Sequence, residues 1–107
     1  MIKRILNILG FSKPTIDYKS LIDSGAIIVD VRTKGEYMSG HIKNSLNIPV
    51  DSINQHLAKL KDKNKTIITC CASGMRSAAA KSILKSNGIE QVHNGGAWHS
   101  LQRKINN

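Results

Sequence analysis

Two short runs in this chain are apolar at nearly every position rather than at every second one: residues 26–31, AIIVDV, and residues 66–70, TIITC. A strand with one wet face alternates, so an unbroken β-branched run has to be covered on both faces, the condition of a strand inside a parallel sheet. Weaker extended segments are expected at 46–50, closed by Pro49, and at 91–93. Helical spacing fills the intervals 17–24, 52–60 and 76–87. In the last of these, Ala79, Ile83 and Leu84 share one face, Lys81 and Lys85 another, and Asn87-Gly88 supplies the stop. With no internal repeat or low-complexity tract, the chain reads as an α/β domain.

At 107 residues with 40% hydrophobic positions, the sequence accommodates one compact domain and excludes a second catalytic one. A chain of this size buries roughly 65% of its unfolded surface, enough for a core without metal or disulfide staples. The start, MIKRILNILGFSKP, is basic and then apolar but is interrupted by Asn7 and far short of the roughly 20 residues a membrane span needs. Residues 1–14 are expected to form an amphipathic helix docked on a domain of residues 15–107. The expected location is cytoplasmic, with export as the alternative.

Sixteen Lys and Arg against seven Asp and Glu give a formal charge of +9, which favours anionic partners. The tightest basic group, Lys59, Lys61, Lys63 and Lys65, straddles an expected helix end and the following loop, as solvated lysines do. Four aromatic residues, Phe11, Tyr18, Tyr37 and Trp98, offer no stacking platform, so no nucleic-acid partner is expected. A small anion and a monomeric state are expected instead. Cys70 and Cys71 are adjacent, and neighbours on an extended chain point to opposite faces. They suit neither a structural disulfide nor joint metal ligation, and a reduced compartment follows. His41, His56, His93 and His99 lack further ligands at metal spacing, so no metal and no cofactor are expected.

The chemistry concentrates where TIITC runs through Cys71, Ala72, Ser73, Gly74 and Met75 into the helix near Arg76. At such a junction, loop amides and the first free N–H groups of the helix converge on a concave nest for a negative atom. A cysteine at its mouth is acidified, which makes Cys71 the expected nucleophile. Gly74 permits a close turn through positive φ, and Arg76 adds fixed charge.

These residues resemble the rhodanese family, whose active loop has Cys-x-x-Gly-x-Arg followed by Ser or Thr, as Cys71, Gly74, Arg76 and Ser77 stand here. Asp30-Val31-Arg32 with Glu36-Tyr37, then Gly40-His41-Ile42, Asn47-Ile48-Pro49, and Gly95-Gly96 with Trp98 follow in family order over about residues 15–101. The resemblance implies a three-layer α/β/α domain around a mainly parallel sheet of about five strands. It also implies sulfur transfer through a Cys71 persulfide, from thiosulfate, polysulfide or a persulfide to a thiol or thioredoxin-like acceptor, with the loop Ala72 to Ser77 cradling the anion. Thiosulfate-specific members often carry a basic residue inside the loop. Ala72, Ser73 and Met75 are uncharged, which points away from thiosulfate.

Two other readings stay open. From Cys70 the chain reads Cys-x5-Arg-Ser, the loop length of related phosphatases and arsenate reductases; the six-residue span Cys71 to Arg76 favours Cys71, leaving Cys70 as a packed strand thiol. Many domains of this fold act as binding or regulatory modules, and a sulfur carrier between proteins would look the same. Asp30 and Arg32, at a strand end beside the loop, are expected to brace Arg76 or the loop backbone, or to form a scaffold ion pair. His41 is expected to be bonded in a tight turn, and Trp98 to pack under the final helix.

Overall fold

The computed structural model describes residues 15–106; the helix expected over residues 1–14 lies outside them. The chain alternates as expected. Helix α1, Tyr18–Asp23, is capped by the Asp17 carboxylate accepting from the Ser20 N–H at 3.0 Å. It is followed by β1, Ile27–Asp30, then the one-turn helix α2, Lys34–Met38, and β2, Leu46–Asn47. A 3-10 segment, Val50–His56, runs directly into α3, Leu57–Lys63. Next come β3, Ile67–Cys71; α4, Met75–Ser86; β4, Val92–Ala97; and α5, Trp98–Asn106.

All pairings are parallel and the strand order is β2-β1-β3-β4. The two apolar runs lie side by side in the centre, Ile27 opposite Ile67 through Asp30 opposite Cys70. On one face Val29, Ile67 and Cys71 pack with Ile53, Leu60, Ala80 and Leu84 from the 3-10 segment, α3 and α4. On the other, Ile28, Ile68 and Cys70 pack with Leu21 and Ile22 of α1 and with Leu101 and Ile105 of α5. Full burial of each such aliphatic side chain contributes roughly 1.5–3 kcal/mol, which is why the doubly covered runs form the sheet's centre. From β1 the chain moves to one side of the sheet, and from β3 to the other. This puts the topological switch point at the carboxyl ends of β1 and β3, the place where ligands bind in open α/β sheets.

Several expectations are corrected. The sheet of the described residues has four strands, not about five: residues 15–17 run into α1 without joining a ladder. Strand β3 continues through Cys71, which lies opposite Ala97 beyond an irregularity in the β3–β4 pairing, so Cys71 is the last strand residue rather than the first of the loop. In α4 the buried stripe is Ser77, Ala80 and Leu84, and Ala79 is exposed. The last strand extends beyond the expected 91–93, so Gly95 and Gly96 sit within β4. A Cβ on Gly95 would come within 2.9 Å of Ile68, Leu101 and the Thr69 carbonyl, so glycine there serves packing.

Candidate active site

Cys71 ends β3 fully buried, with its Sγ facing the turn into α4. The Gly74 N–H donates to Sγ at 2.9 Å and the Ser77 N–H at 3.4 Å, and the Ser77 hydroxyl lies 3.4 Å away. Burial pushes the thiol up. Hydrogen bonds from the Ser77 side chain and from the N–H groups of Ser77, Gly74 and Ser73 more than offset this, holding Cys71 below its ordinary value.

The loop takes this shape because Gly74 adopts φ +103°, a conformation that L side chains rarely adopt. A Cβ on Gly74 would also stand 3.3 Å from the Cα of Gly96, so the loop and β4 meet glycine to glycine. Ala72, Ser73 and Met75 are exposed around the mouth.

Arg76 does not point its charge into the nest unopposed. Its guanidinium makes a two-point ion pair with Glu36, Nη1 to Oε1 at 2.8 Å and Nη2 to Oε2 at 3.0 Å. Glu36 also closes a capping box at the start of α2: Oε1 accepts from the Thr33 N–H at 3.0 Å, and Thr33 Oγ1 accepts from the Glu36 N–H at 3.2 Å. Arg76, then the Thr33 N–H, lower the Glu36 carboxyl to about 2.

Asp30 and Arg32 are buried and bonded to each other, with Arg32 Nη2 to Asp30 Oδ2 at 2.7 Å and Nε to Oδ1 at 2.9 Å. Of the two expected roles they take the scaffold ion pair, and neither bonds to Arg76 or the loop backbone. Arg32 instead donates to the Gly40 carbonyl at 2.7 Å and the Glu36 carbonyl at 3.3 Å, and its guanidinium lies 4.6 Å from the Trp98 ring centroid. It therefore anchors the segment that carries Glu36, and reaches Arg76 only through that residue. Trp98 opens α5 and, partly buried, packs against the core cluster that includes Leu101 of that helix. His41 stacks on Tyr37 at 3.8 Å, with Nδ1 2.8 Å from the Tyr37 carbonyl, as a turn histidine.

Cys70 points into the opposite core face, and its thiol is pushed up to about 12, first by burial and then by the Asp30 carboxylate. The seven-residue register from Cys70 has no geometric support, since the Gly74 and Ser77 N–H groups aim at Cys71.

Two residues of the site escaped the sequence reading in this role. Glu36 was noted only as part of a motif, although Thr33-x-x-Glu36 is itself a capping-box signature. Asn94 had no local signal. Its Oδ1 accepts from the Ser77 hydroxyl at 2.6 Å and from the Gly96 N–H at 2.9 Å, while its Nδ2 donates to the Gly74 carbonyl at 3.1 Å.

Comparison with known proteins bears on the family and the fold. The rhodanese-like domain matches residues 15–99. The tRNA sulfurtransferase of Thermoplasma acidophilum is 36% identical over 91 residues, 84% of this chain and 18% of that protein. The tRNA uridine(34) hydroxylase of Escherichia fergusonii is 34% identical over 84 residues, 74% of this chain and 23% of that protein. The chain thus spans about a fifth of the length of these curated relatives. Among solved structures, a human single-domain sulfurtransferase superposes with a TM-score of 0.69 at 28% identity, covering 87% of this chain and 98% of that one.

Proposed function

This chain belongs to the rhodanese-like domain family, and from that premise we propose that it moves a sulfane sulfur through a persulfide on Cys71. The observation that carries the reading is the convergence of the Gly74 and Ser77 N–H groups on Cys71 Sγ, at 2.9 and 3.4 Å. A thiolate held by main-chain donors needs no separate base. It attacks the outer sulfur of a donor, a new S–S bond forms, and the donor's S–S bond breaks with its electron pair leaving on the departing group, sulfite in the case of thiosulfate. Cys71–S–S⁻ remains in the loop. An acceptor thiolate then takes the outer sulfur, and the electron pair of the Cys71–S bond returns to Cys71 as thiolate. Oriented N–H groups stabilise the charge at each stage without reorganisation.

Donor choice follows from the loop's charge. Arg76 is already paired with Glu36, and Ala72, Ser73 and Met75 add no cation. Polysulfide or a persulfide therefore fits better than thiosulfate. The +9 charge steers any small anion toward the protein, and a reduced, cytoplasmic setting keeps Cys71 free to react. A second reading, in which the persulfide is handed to a partner that modifies RNA, is favoured by the tRNA-modifying names of both curated relatives.

Turnover separates the readings. With polysulfide or thiosulfate as donor and a small thiol as acceptor, Cys71→Ser is expected to lose transfer and Cys70→Ser to keep most of it. Loss with Cys70→Ser alone, or hydrolysis of phosphate esters instead, would reject the assignment. A Cys71 persulfide that forms but resists small thiols would favour the carrier.

A further inference from the structure

Ser77 has one hydroxyl proton and two neighbours that call for it. Asn94 Oδ1 lies 2.6 Å from Ser77 Oγ, and Cys71 Sγ lies 3.4 Å from it. The orientation of the Asn94 amide is fixed by its other two partners. Oδ1 faces the Gly96 N–H at 2.9 Å and Nδ2 faces the Gly74 carbonyl at 3.1 Å; reversing the amide would set oxygen against oxygen and N–H against N–H. Oδ1 is therefore an acceptor, and only Ser77 can supply the proton between them.

With Cys71 as the thiol, every group is satisfied: S–H donates to Ser77 Oγ, and the Ser77 hydroxyl donates to Asn94. Ionised, Sγ has no proton to give, and a Ser77 lone pair aimed at it would repel. We propose that Asn94 is a positioning residue that holds the Ser77 hydroxyl proton in reserve, releasing it to Cys71 Sγ when the sulfur is a thiolate and taking it back when the charge moves outward. In the persulfide the negative charge sits one atom further out, on the sulfur in the loop, and the hydroxyl returns to Asn94. Only the O–H torsion changes; no bond breaks and no proton leaves Ser77.

Other ionisable groups near this relay are placed to act steadily rather than to switch it. Arg76 of α4 is paired with Glu36 of α2. Asp30 and Arg32 at the end of β1 are paired with each other, and Cys70 of β3 faces the opposite side of the sheet. On β4, His93 is in register with Ile68, whose side chain packs on that opposite side. From the 3-10 segment come Asp51 and His56, the latter with Nδ1 3.0 Å from the Ser52 carbonyl.

Asn94 thus competes with the thiolate for one proton, and its removal favours ionisation only while Ser77 is present. The test is a double-mutant cycle on the full chain carrying Cys70→Ala, with Asn94→Ala and Ser77→Ala made singly and together and thiolate absorbance followed against pH. Ser77→Ala is expected to raise the Cys71 midpoint. Asn94→Ala is expected to shift the midpoint lower by about half a pH unit or more than the same change does in the Ser77→Ala background, which removes any contribution from loosening Gly74. Equal shifts in both backgrounds, or a coupling of opposite sign, would overturn the proposal. If Asn94→Ala fails to fold, Asn94→Leu, of nearly the same shape and without an acceptor, carries the same expectation, and a midpoint unmoved or lowered by Ser77→Ala alone would also overturn it. The inference rests on Cys71 as the transfer nucleophile, but its readout is ionisation. Sulfur transfer without coupling therefore rejects the role of Asn94 alone, and coupling without sulfur loading rejects the transfer reading alone.

Discussion

Arg76 at the start of α4 and Glu36 at the start of α2 are joined by a two-point ion pair, 2.8 and 3.0 Å, across forty residues of sequence. Glu36 thereby fixes the rim of the loop and the first turn of α2 together, and neutralises the charge that would otherwise face an incoming donor.

The pair has a defined pH window. Glu36 is lowered from 4.5 to about 2, so the stabilisation it provides is complete above the unfolded value and is lost as pH falls through about 2. Acid unfolding of the wild type should therefore include a contribution between about pH 4.5 and 2 that Glu36→Gln lacks. Circular dichroism against pH checks this, and identical acid limbs would count against it. Glu36→Gln should also improve thiosulfate as a donor by freeing the Arg76 charge.

Gly74 should tolerate no side chain. At φ +103°, alanine carries a backbone cost of roughly 1–2 kcal/mol, and its Cβ would press on the Cα of Gly96 at 3.3 Å. Gly74→Ala is expected to lose that much stability in denaturant titration. The cysteine midpoint should rise as the Gly74 N–H leaves Sγ.

Arg32→Ala should be far more damaging to folding than any change in the loop. It leaves the Asp30 carboxylate buried without its partner, which costs about 3–5 kcal/mol, and releases the Gly40 carbonyl and the Trp98 ring. Denaturant unfolding should show the loss. A variant within about 1 kcal/mol of wild type would mean that water reaches Asp30.

The two adjacent cysteines should behave as different chemical species. At neutral pH, alkylation followed by peptide mapping should mark Cys71, whose thiol lies below its ordinary value, and leave Cys70, pushed up to about 12, unlabelled. Equal labelling would contradict the opposed placement of the two side chains.

What could be read in the sequence was what local geometry determines. The two unbroken apolar runs became the central strand pair, and the alternation of a strand was enough to send Cys70 and Cys71 to opposite faces. The nest around Cys71 was legible because its donors, Gly74 and Ser77, lie within six residues of it. Glu36 and Asn94 were not, because they meet the loop only through the fold, from a helix start forty residues earlier and a strand seventeen residues later. Helix α2 escaped notice since one turn containing Gly35 shows no apolar period. The roles of Gly95 and Gly96 were not legible either, because sequence cannot distinguish a glycine kept for positive φ, as Gly96 at +82°, from one kept because Ile68 and Leu101 leave no room, as Gly95.

The central claim is that Cys71 carries the sulfur, and intact mass tests it most directly. After incubation with polysulfide, thiosulfate or glutathione persulfide and removal of excess donor, the wild type and Cys70→Ser should each gain one sulfur, reversed by a thiol and located by fragmentation on Cys71. Polysulfide or the persulfide should load faster than thiosulfate. Cys71→Ser should gain none; loading that survives Cys71→Ser, or that is lost with Cys70→Ser, would contradict the account.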